Sequence, residues 1–389
     1  MNGLKKRIKK IGCTAVLYLF RMCPINPKKV VFGSFFYSTY SDNPRAIFEK
    51  MKELRPDYQY IWLIRNFDGI IEGAEVVKAD SIKALFHLAT AACWIDNSRK
   101  REWHRKRKKQ FYVQTWHGSI AMKHVEADAA DKLPKSYITA AQRDSAMADL
   151  LLSGSEWQTE QIKRSFWYNG EIGKFGLPRS DIFFQDHALY KKKVDDYFGC
   201  STGTKYILYA PTFRVDYGLE AYNLDYDRLL KAVECAFSGE WKVLIRLHPN
   251  IAKQQTALQY SEKILNASAY ANMSELIVSS DILITDYSSC SFDAMEAHKK
   301  VFLFCSDVEE YNADRGLEFS FEELPFPFAA NNDQMIANIK GFREDVYFSE
   351  ADTFMKRLGI YDNKDASKNT VNYIFKEMDA RFDKSQHMQ

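Results

Sequence analysis

A histidine and a glycine end the apolar run FYVQTWHG at residues 111–118. The imidazole of His117 can take up a proton near neutral pH, and Gly118 lets a ligand approach the backbone closely. Other apolar runs end in basic or hydroxyl-bearing residues, a chemistry that suits phosphate. The further candidates at these ends, which include two apolar residues of the same segments, are Arg179, Pro211, Thr212, Arg246, Leu247, His248, Ser288 and Ser289. Singly, each has a structural alternative, since histidines hydrogen-bond in cores and prolines end strands. Together, they predict a site for a phosphorylated ligand.

The stretch TDYSSCSFDAMEAHKK, which begins at Thr285, indicates how a phosphate would be bound. A strand is predicted to turn through DYSS into a helix that begins near Ser291. Free backbone amides at a helix start and neighbouring serine hydroxyls can bind phosphate oxygens. Asp293 lies in the first turn and would repel phosphate, so we expect it to bind a ligand hydroxyl. The structural alternative is that serine only caps the helix.

Two sets of short apolar strands alternate with helical segments, and this alternation must position the candidate residues. The first set is at 28–35, 58–65, 92–98, 111–118, 150–155 and 173–179, and the second at 205–214, 241–249, 281–289 and 300–307. Such a pattern predicts α/β architecture with doubly wound parallel sheets, whose ligands bind beyond the carboxyl ends of the strands. A chain of 389 residues also exceeds the usual size of one core.

We therefore predict two Rossmann-like domains that face a cleft. Their limits are 28–180 for a domain that carries the catalytic histidine and 205–345 for a donor-binding domain. A linker or helix is expected at 181–204 and a helical tail at 346–389.

Sequence motifs for common cofactors and metals are missing. Neither strand set carries the dinucleotide fingerprint or a Walker loop, so no tightly bound cofactor is expected. The DYD motif that begins at Asp225 is predicted to be a helix cap, and we expect no bound metal. The seven cysteines form no C-x-x-C pair, which indicates a reducing compartment.

The first 27 residues predict a basic amphipathic helix. Apolar residues recur at helical spacing from Leu4 to Met22, with lysines beside that stripe. The uncharged run at 11–20 is about half of the roughly 20 residues that span a bilayer. We expect this helix to lie on an anionic membrane surface, and the alternative is a helix packed on the protein itself.

Five motifs occur in an order that resembles the CDP-glycerol glycerophosphotransferase family of teichoic acid and capsular polymer synthesis. They are QTWHGS, GLPRSD, ILYAPTFR, LIRLHP and LITDYSSCSFD, and the resemblance covers about residues 28–345. It implies a GT-B architecture and transfer of glycerol phosphate, or ribitol phosphate, from a CDP-activated donor with release of CMP. The implied acceptor is an undecaprenyl-pyrophosphate-linked saccharide or polymer, and the implied location is the cytoplasmic face of the bacterial membrane.

The resemblance also assigns roles to residues. His117 matches the proposed general base and His248 is counted with it as catalytic. The donor-binding residues implied in this way are His117, Gly118, Ser119, Ile120, Ala121, Arg179, Pro211, Thr212, Arg246, Leu247, His248, Ser288, Ser289 and Asp293. The family usually has proline and leucine near the end of the first segment, where this chain has Ile120 and Ala121.

The basic run RKREWHRKRKK at 99–109 leads into the strand that carries His117. A solvated loop is the simplest interpretation, and nucleic acid is not expected because no recognition motif accompanies the run. We expect it to bind anionic lipid or the pyrophosphate of a lipid-linked acceptor.

Two rival functions remain open at this point. An ordinary GT-B glycosyltransferase with a nucleotide-sugar donor would share the fold. A catalytically inactive relative would still bind membrane or polymer but would catalyse no transfer.

Overall fold

The computed structural model describes residues 3–212, 223–247, 260–308, 316–361 and 364–383. Its strands are β1 (Asn26–Gly33), β2 (Gln59–Ile64), β3 (Glu75–Lys78), β4 (Ala91–Asp96), β5 (Phe111–Gln114), β6 (Leu150–Leu152), β7 (Glu171–Gly173), β8 (Lys205–Tyr209), β9 (Trp241–Ile245), β10 (Ile264–Asn266), β11 (Ile282–Thr285), β12 (Lys300–Phe304) and β13 (Phe328–Ala329). Its α-helices are α1 (Gly3–Phe20), α2 (Asp42–Leu54), α3 (Ile82–Thr90), α4 (Lys135–Met147), α5 (Glu156–Ser165), α6 (Ala188–Phe198), α7 (Tyr226–Ala236), α8 (Met273–Ser279), α9 (Cys290–Glu296), α10 (Asn332–Lys340), α11 (Glu344–Leu358) and α12 (Ala366–Phe382).

The chain folds into two compact units, each formed by separate segments of the sequence. The first unit takes in the described residues up to 117, those at 126–181 and those from 361 onward. The second unit takes in residues at 118–125 and those at 182–360 that the structure describes. The chain therefore passes from one unit to the other at four peptide bonds, and the first of these follows His117.

The first unit is built on a seven-stranded sheet with the order β3-β2-β1-β4-β5-β6-β7, in which all neighbours are parallel. β4 is buried along its whole length, as expected for a strand covered on both faces. Phe32, Phe48 and Trp62 lie in the core on one face, and the rings of Phe32 and Trp62 stack at a centroid distance of 5.2 Å. The strand order reverses between β1 and β4, so the carboxyl ends of these strands form the expected ligand edge.

The second unit is built on a six-stranded parallel sheet with the order β10-β9-β8-β11-β12-β13. Its strand order reverses between β8 and β11. The amide of Ala210 donates to the carbonyl oxygen of Ile284 at 2.9 Å, which ties the ends of these two strands together. The prediction of two Rossmann-like doubly wound α/β units is confirmed.

The predicted tail at 346–389 is divided between the units, because α11 belongs to the second and α12 to the first. Val371, Ile374 and Phe375 of α12 are buried in the core of the first sheet. The carboxylate of Asp181 accepts hydrogen bonds from the amides of Ala366 and Ser367 at 2.9 and 3.0 Å, which satisfies free amides at the start of α12. The last described helix is therefore part of the first Rossmann-like unit.

Helix α1 packs one face on its own unit and exposes the other. Leu17 is fully buried, and the ring of Phe20 meets that of Phe86 in α3 at a centroid distance of 5.4 Å. The predicted apolar stripe lies on the opposite side, where Ile8, Ile11, Ala15, Leu19 and Met22 are exposed. In the part of the chain that the structure describes, no helix combines the length and the apolar character needed to cross a bilayer.

Most predicted strands and helices occur where the sequence indicates them, but one strand assignment is wrong. The run GKFGLPR at 173–179 was predicted as a strand, whereas β7 ends at Gly173 and a 3-10 helix occupies Pro178–Phe184. The left-handed φ of +80° at Gly176 and the proline that follows explain why this run cannot continue as a strand. The seven cysteines are free thiols in the structure, and the reducing compartment stays a prediction.

Candidate active site

His117 lies three residues beyond the carboxyl end of β5 and is half-buried. Its Nδ1 atom is 2.8 Å from the carbonyl oxygen of Asn97, the residue that follows β4. A carbonyl oxygen can only accept a hydrogen bond, so Nδ1 carries the hydrogen and Nε2 of the neutral ring carries the lone pair. The rings of Phe35 and Trp116 flank the imidazole at centroid distances of 5.7 and 4.4 Å. The ring is therefore held in the tautomer that can take up a proton at Nε2.

The surroundings of His117 favour its neutral form. Burial lowers the pKa of the imidazole, and this effect outweighs the hydrogen bond to Asn97 and the Asp42 carboxylate, which raise it. The positive charge of Arg179 lowers the pKa further. A neutral imidazole at physiological pH is the form that a general base requires.

Arg179 lies in the 3-10 helix Pro178–Phe184 and not at a strand end as predicted. Its Nη1 atom donates to the carboxylate of Asp42 at 2.9 Å and to the carbonyl oxygen of His117 at 2.8 Å. The Arg179 side chain is only 6% exposed, so its ion pair with Asp42 is buried. The guanidinium thus fixes the backbone of the histidine, while its contact with a donor stays a prediction.

Two residues that hold this arrangement together, Asp42 and Asn97, are not among the sequence-based candidates. The side chain of Asn97 donates to Asp42 at 3.1 Å and accepts from the amide of Phe35 at 2.7 Å. Phe35, Phe36 and Tyr37 all have positive φ, a strain of about 1–2 kcal/mol per residue that these hydrogen bonds help to offset. Asn97 is the first residue after β4 and the second-last of the run ACWIDNS, so a search of the strand ends could have found it. No spacing pattern marks Asp42.

The first two members of the basic run are buried in ion pairs, which contradicts a ligand-binding role for them. Arg99 pairs with Glu126 at 2.8 Å and with Asp144 at 3.3 Å. Lys100 pairs with Asp96 at 2.8 Å, and both of these side chains are at most 1% exposed. Glu126 and Asp144 come from distant parts of the sequence, so the run itself gives no sign of them, whereas Asp96 lies only four residues before Lys100. The prediction for 99–109 can therefore apply only from Arg101 onward.

The segment from Gly118 to Ala121 belongs to the second unit. A Cβ atom at Gly118 would lie 3.4 Å from the hydroxyl of Ser289, an ordinary contact that the fold itself would tolerate. The Ser119 hydroxyl donates to the carboxylate of Asp293 at 3.2 Å, and both residues are buried. Ile120 is also buried and Ala121 is half-buried. Ser119 is thus a protein partner of Asp293, for which a ligand hydroxyl was expected.

Ser288 and Ser289 lie between β11 and α9 and are half-buried. Helix α9 begins at Cys290, one residue before the predicted start, and the side chain of Ser289 makes no capping hydrogen bond to it. The amide of Cys290 does donate to the hydroxyl of Ser288 at 3.4 Å, so the capping alternative stays open for Ser288 and is wrong only for Ser289. The hydroxyl of Ser291 donates to the carbonyl oxygen of Ser288 at 2.9 Å.

Thr212 is positioned by an aspartate that follows β11. Its amide and its hydroxyl both hydrogen-bond to Asp286 at 2.9 Å. Pro211 is buried beside it, and Thr212 is half-buried. The ends of β8 and β11 are thereby joined through side chains as well as backbone. Asp286 was quoted in the TDYSS motif but not selected as a site residue.

Arg246 follows β9 and contacts no carboxylate among the described residues. Its Nη1 donates to the carbonyl oxygen of Tyr270, and burial lowers the pKa of its guanidinium to about 10. Leu247 is 2% exposed and belongs to the core, so only its backbone could contact a ligand. His248, the second predicted catalytic histidine, lies outside the residues that the structure describes.

The DYD motif acts as a cap. The side chain of Asp225 accepts from the amide of Arg228 at 3.0 Å at the start of α7. Within the described ranges, no group of three or more histidine, cysteine, aspartate or glutamate side chains is placed to hold a metal ion. The expectation of no bound metal or cofactor stays a prediction.

Each unit supplies a different part of a group-transfer chemistry. The first unit holds an imidazole that can accept a proton. The second holds hydroxyls and the guanidinium of Arg246 at the ends of parallel strands, and no carboxylate of the described residues pairs with that guanidinium. Proton acceptance and stabilisation of anionic oxygens are the two requirements of phosphoryl transfer.

Comparison with known proteins matches residues 15–376 to the family described as CDP-Glycerol:Poly(glycerophosphate) glycerophosphotransferase. The teichoic acid poly(glycerol phosphate) polymerase of Bacillus subtilis (strain 168) is 31% identical over 373 residues, which are 91% of this chain. The chain spans only about half, 49%, of that relative's length. The teichoic acid glycerol-phosphate transferase of Staphylococcus aureus (strain NCTC 8325 / PS 47) is 26% identical over 96% of this chain and 100% of its own length.

A solved structure of the wall teichoic acid polymerase TagF, a variant soaked with CDPG, has a TM-score of 0.85 to this chain. It is 27% identical, and the match covers 98% of both chains. With the two parallel sheets, this likeness confirms the predicted GT-B type of α/β fold.

Proposed function

Because this chain belongs to the CDP-glycerol:poly(glycerophosphate) glycerophosphotransferase family, we propose that it transfers glycerol phosphate from CDP-glycerol to a hydroxyl of a membrane-linked acceptor. The reaction releases CMP and extends or primes teichoic acid or a related cell-surface polymer. The observation that carries the proposal is the hydrogen bond from Nδ1 of His117 to Asn97, which leaves Nε2 as the proton acceptor.

In the proposed step, Nε2 of His117 takes the proton of the acceptor hydroxyl as its oxygen attacks the phosphorus that bears glycerol. A new P–O bond forms to the acceptor, and the bond between that phosphorus and the CMP oxygen breaks. CMP leaves with the electron pair of the broken bond. A general base of this kind contributes about 10²–10⁴ in rate.

The donor's diphosphate requires groups that stabilise its growing negative charge, and the second unit supplies them. Arg246 has a guanidinium without a carboxylate partner among the described residues, so its charge is available to an anionic ligand. The hydroxyls of Ser288 and Ser289 and the backbone at Gly118 are the further donor contacts that we propose. Thr212 is a further proposed donor contact, and its hydrogen bonds to Asp286 hold it in place.

Arg179 has a positioning role in this scheme. Its Nη1 atom is engaged by Asp42 and by the carbonyl oxygen of His117, so its loss would first move the histidine. A direct contact between Arg179 and a donor phosphate remains part of the proposal.

We further propose that α1 binds the protein to an anionic membrane surface. The exposed fractions of Ile8, Ile11, Leu19 and Met22 are 62%, 61%, 62% and 83%, while the opposite face packs on the protein. Lys5 and Arg7 on the same helix are exposed. An exposed apolar stripe with basic neighbours suits the interface of a bilayer and places the enzyme beside its acceptor.

The test is nucleotide release by the purified full chain with a short lipid-linked saccharide acceptor. CDP-glycerol, CDP-ribitol and UDP-sugars are supplied separately. We expect CMP release with CDP-glycerol, and a loss of about 10²–10⁴ in rate in His117→Ala. His187→Ala is the matched control, because His187 is a half-buried histidine whose Nε2 atom lies 3.2 Å from the carbonyl oxygen of Phe183.

CMP release with CDP-ribitol alone would mean that the chain is a phosphotransferase of the proposed class whose donor is CDP-ribitol. Release from a UDP-sugar alone would make the chain a glycosyltransferase. A lack of release with every donor would indicate an inactive binding relative.

A further inference from the structure

Three arginines surround a buried histidine in the first unit, and we refer to Arg101, Arg105 and Arg143 as the arginine cluster. His104 is 2% exposed. Burial and the positive charges of Lys100 and the cluster hold the pKa of His104 well below its ordinary value, so this ring adds no charge of its own. The three arginines are half-buried, so they are not freely solvated surface side chains.

Two members of the cluster lack the partners that buried guanidinium groups normally have. The Nε and Nη2 atoms of Arg143 and the Nε atom of Arg101 are buried, and no hydrogen-bond acceptor reaches them in the described part of the chain. Neither guanidinium forms an ion pair with a carboxylate in those same ranges. Arg105 donates to the carbonyl oxygens of Glu102 and His104 at 2.6 and 2.8 Å. Those carbonyls orient Arg105, and no carboxylate of the described residues forms an ion pair with it.

Arg99 and Lys100, which precede the cluster in the basic run, differ from it in having carboxylate partners. Arg99 and Lys100 are paired with three buried carboxylates, from Asp96, Glu126 and Asp144. Within the described ranges, no carboxylate forms an ion pair with the arginine cluster, although the charges of Glu102 and Asp144 act on Arg143 from a greater distance. Like charges held together away from water repel each other, and buried donors without acceptors are rare unless an ion or ligand satisfies them. The missing partner is therefore expected to be an anion.

The cluster lies between the α1 segment and the turn that flanks the catalytic histidine. The guanidinium of Arg101 is 5.9 Å from the ring centre of Tyr37, and Phe35 in the same turn flanks His117. On the other side, Arg21, just beyond α1, donates to the carbonyl oxygen of Arg105 at 2.8 Å. An anion held here would thus lie between the proposed membrane-binding helix and the proposed base.

We infer that the arginine cluster binds the diphosphate that links the acceptor saccharide to its lipid. This inference rests on the proposed function and adds to it the site at which the acceptor is held. Guanidinium groups match phosphate oxygens with paired N–H donors. The lipid would extend toward α1 and the saccharide toward His117.

The test compares two acceptors with the same saccharide, one carried on a polyprenyl diphosphate and one on an uncharged alkyl chain. In Arg101→Gln/Arg143→Gln, we expect the KM for the diphosphate acceptor to rise at least about tenfold, from the loss of charge-assisted hydrogen bonds. The KM for the uncharged acceptor and the KM for CDP-glycerol should stay at wild-type values. Lys163→Gln, which removes an exposed cation of the same unit, should change neither.

Arg143→Lys keeps the charge but not the paired donors, so its KM should fall between those of wild type and Arg143→Gln. It also keeps the test valid if the double variant folds poorly. Equal losses with both acceptors would overturn the inference, because they would mean that the arginines only support the fold.

Binding to phosphatidylcholine vesicles that contain phosphatidylglycerol separates the two sources of phosphate. We expect the double variant to bind them as the wild type does. A selective loss of vesicle binding would assign the cluster to lipid headgroups and overturn the acceptor site. Slow CMP release in the absence of acceptor reports on the donor reaction alone. If the variants keep this release but show no selective change in acceptor KM, this inference fails and the proposed function stands. If the wild type shows no CMP release at all, the proposed function itself fails.

Discussion

The Nδ1 atom of His117 lies 2.8 Å from the backbone carbonyl oxygen of Asn97, so the end of one strand sets the tautomer of a histidine at the end of the next. No side-chain substitution at position 97 removes that carbonyl. The interaction therefore depends on the register between β4 and β5 and on the residues that hold the backbone in place.

The pH dependence of the reaction should show that the pKa of His117 is lowered. Burial lowers the pKa of His117, and the ring is an active base only when it is unprotonated. The acid limb of kcat/KM should therefore fall below the ordinary histidine value of about 6.5, and the rate should be constant around neutrality. Asp42→Asn removes a charge that raises this pKa, so it should move the limb to still lower pH. A pH–rate profile checks both, and a limb above pH 7 would contradict the assignment.

The Asp42–Arg179 ion pair should behave as a buried pair. Both side chains are less than 10% exposed, at 8% and 6%. Asp42→Asn leaves the guanidinium without its counter-charge and should lower the free energy of unfolding of the first unit by about 3 kcal/mol. Asp42→Asn/Arg179→Gln should cost less than the sum of the two single substitutions. Urea unfolding of the four proteins measures the coupling, and simple additivity would mean that the two side chains act independently.

Gly118→Ala should separate ligand binding from folding. The added methyl group would make only an ordinary contact with Ser289, so the melting temperature should not change. If the donor approaches the backbone at this position, the KM for CDP-glycerol should rise about tenfold, as expected for one methyl group in a tight contact. Gly12→Ala is the control, because nothing lies within 4 Å of its added atom. An unchanged KM would remove Gly118 from the donor site.

Arg246→Gln should weaken donor binding without affecting the acceptor. Loss of a charged hydrogen-bond donor to phosphate is expected to raise the KM for CDP-glycerol by about tenfold or more. Arg246→Lys should recover part of the loss through its charge. Arg228→Gln removes an exposed arginine that pairs with Asp333, and it should leave the kinetics unchanged. Equal effects of Arg246→Gln and Arg228→Gln would show that only the net charge matters.

The apolar stripe of α1 can be tested by vesicle flotation. Ile11→Glu and Leu19→Glu should each reduce binding to phosphatidylglycerol-containing vesicles by about tenfold or more, since each places a charge where an apolar side chain would be buried. Ile70→Glu is the matched control, because Ile70 is 94% exposed but lies outside the helix. If Ile70→Glu has the same effect, binding depends on surface charge and not on the stripe.

The sequence predicts the strands and helices that carry a strong local pattern. Buried parallel strands such as β4 and β11 are short apolar runs, and both were located with their end residues. β3, β10 and β13 have four, three and two residues and were missed, because runs this short give a pattern only when their neighbours are also apolar, as at β6. The run at 173–179 looked like a strand because it is apolar, although its glycine and proline pointed to a turn.

In the candidate site too, residues were predicted only where the local sequence marks them. His117, Arg246 and the two serines could be selected because residue type and position at a strand end are visible in the sequence. The ion pairs of Arg99 could not, since Glu126 and Asp144 are brought to it only by the tertiary fold. A charged run was therefore interpreted as surface when its first members are among the most buried cations of the chain.

The placement of α12 sets the order in which the protein can mature during synthesis. The second unit needs no residue beyond 360, whereas the core of the first unit includes Val371, Ile374 and Phe375. Although synthesis of the first unit begins earlier, the ribosome must finish α12 before that unit can close its core. The half that carries His117 should therefore be the last to become protease-resistant.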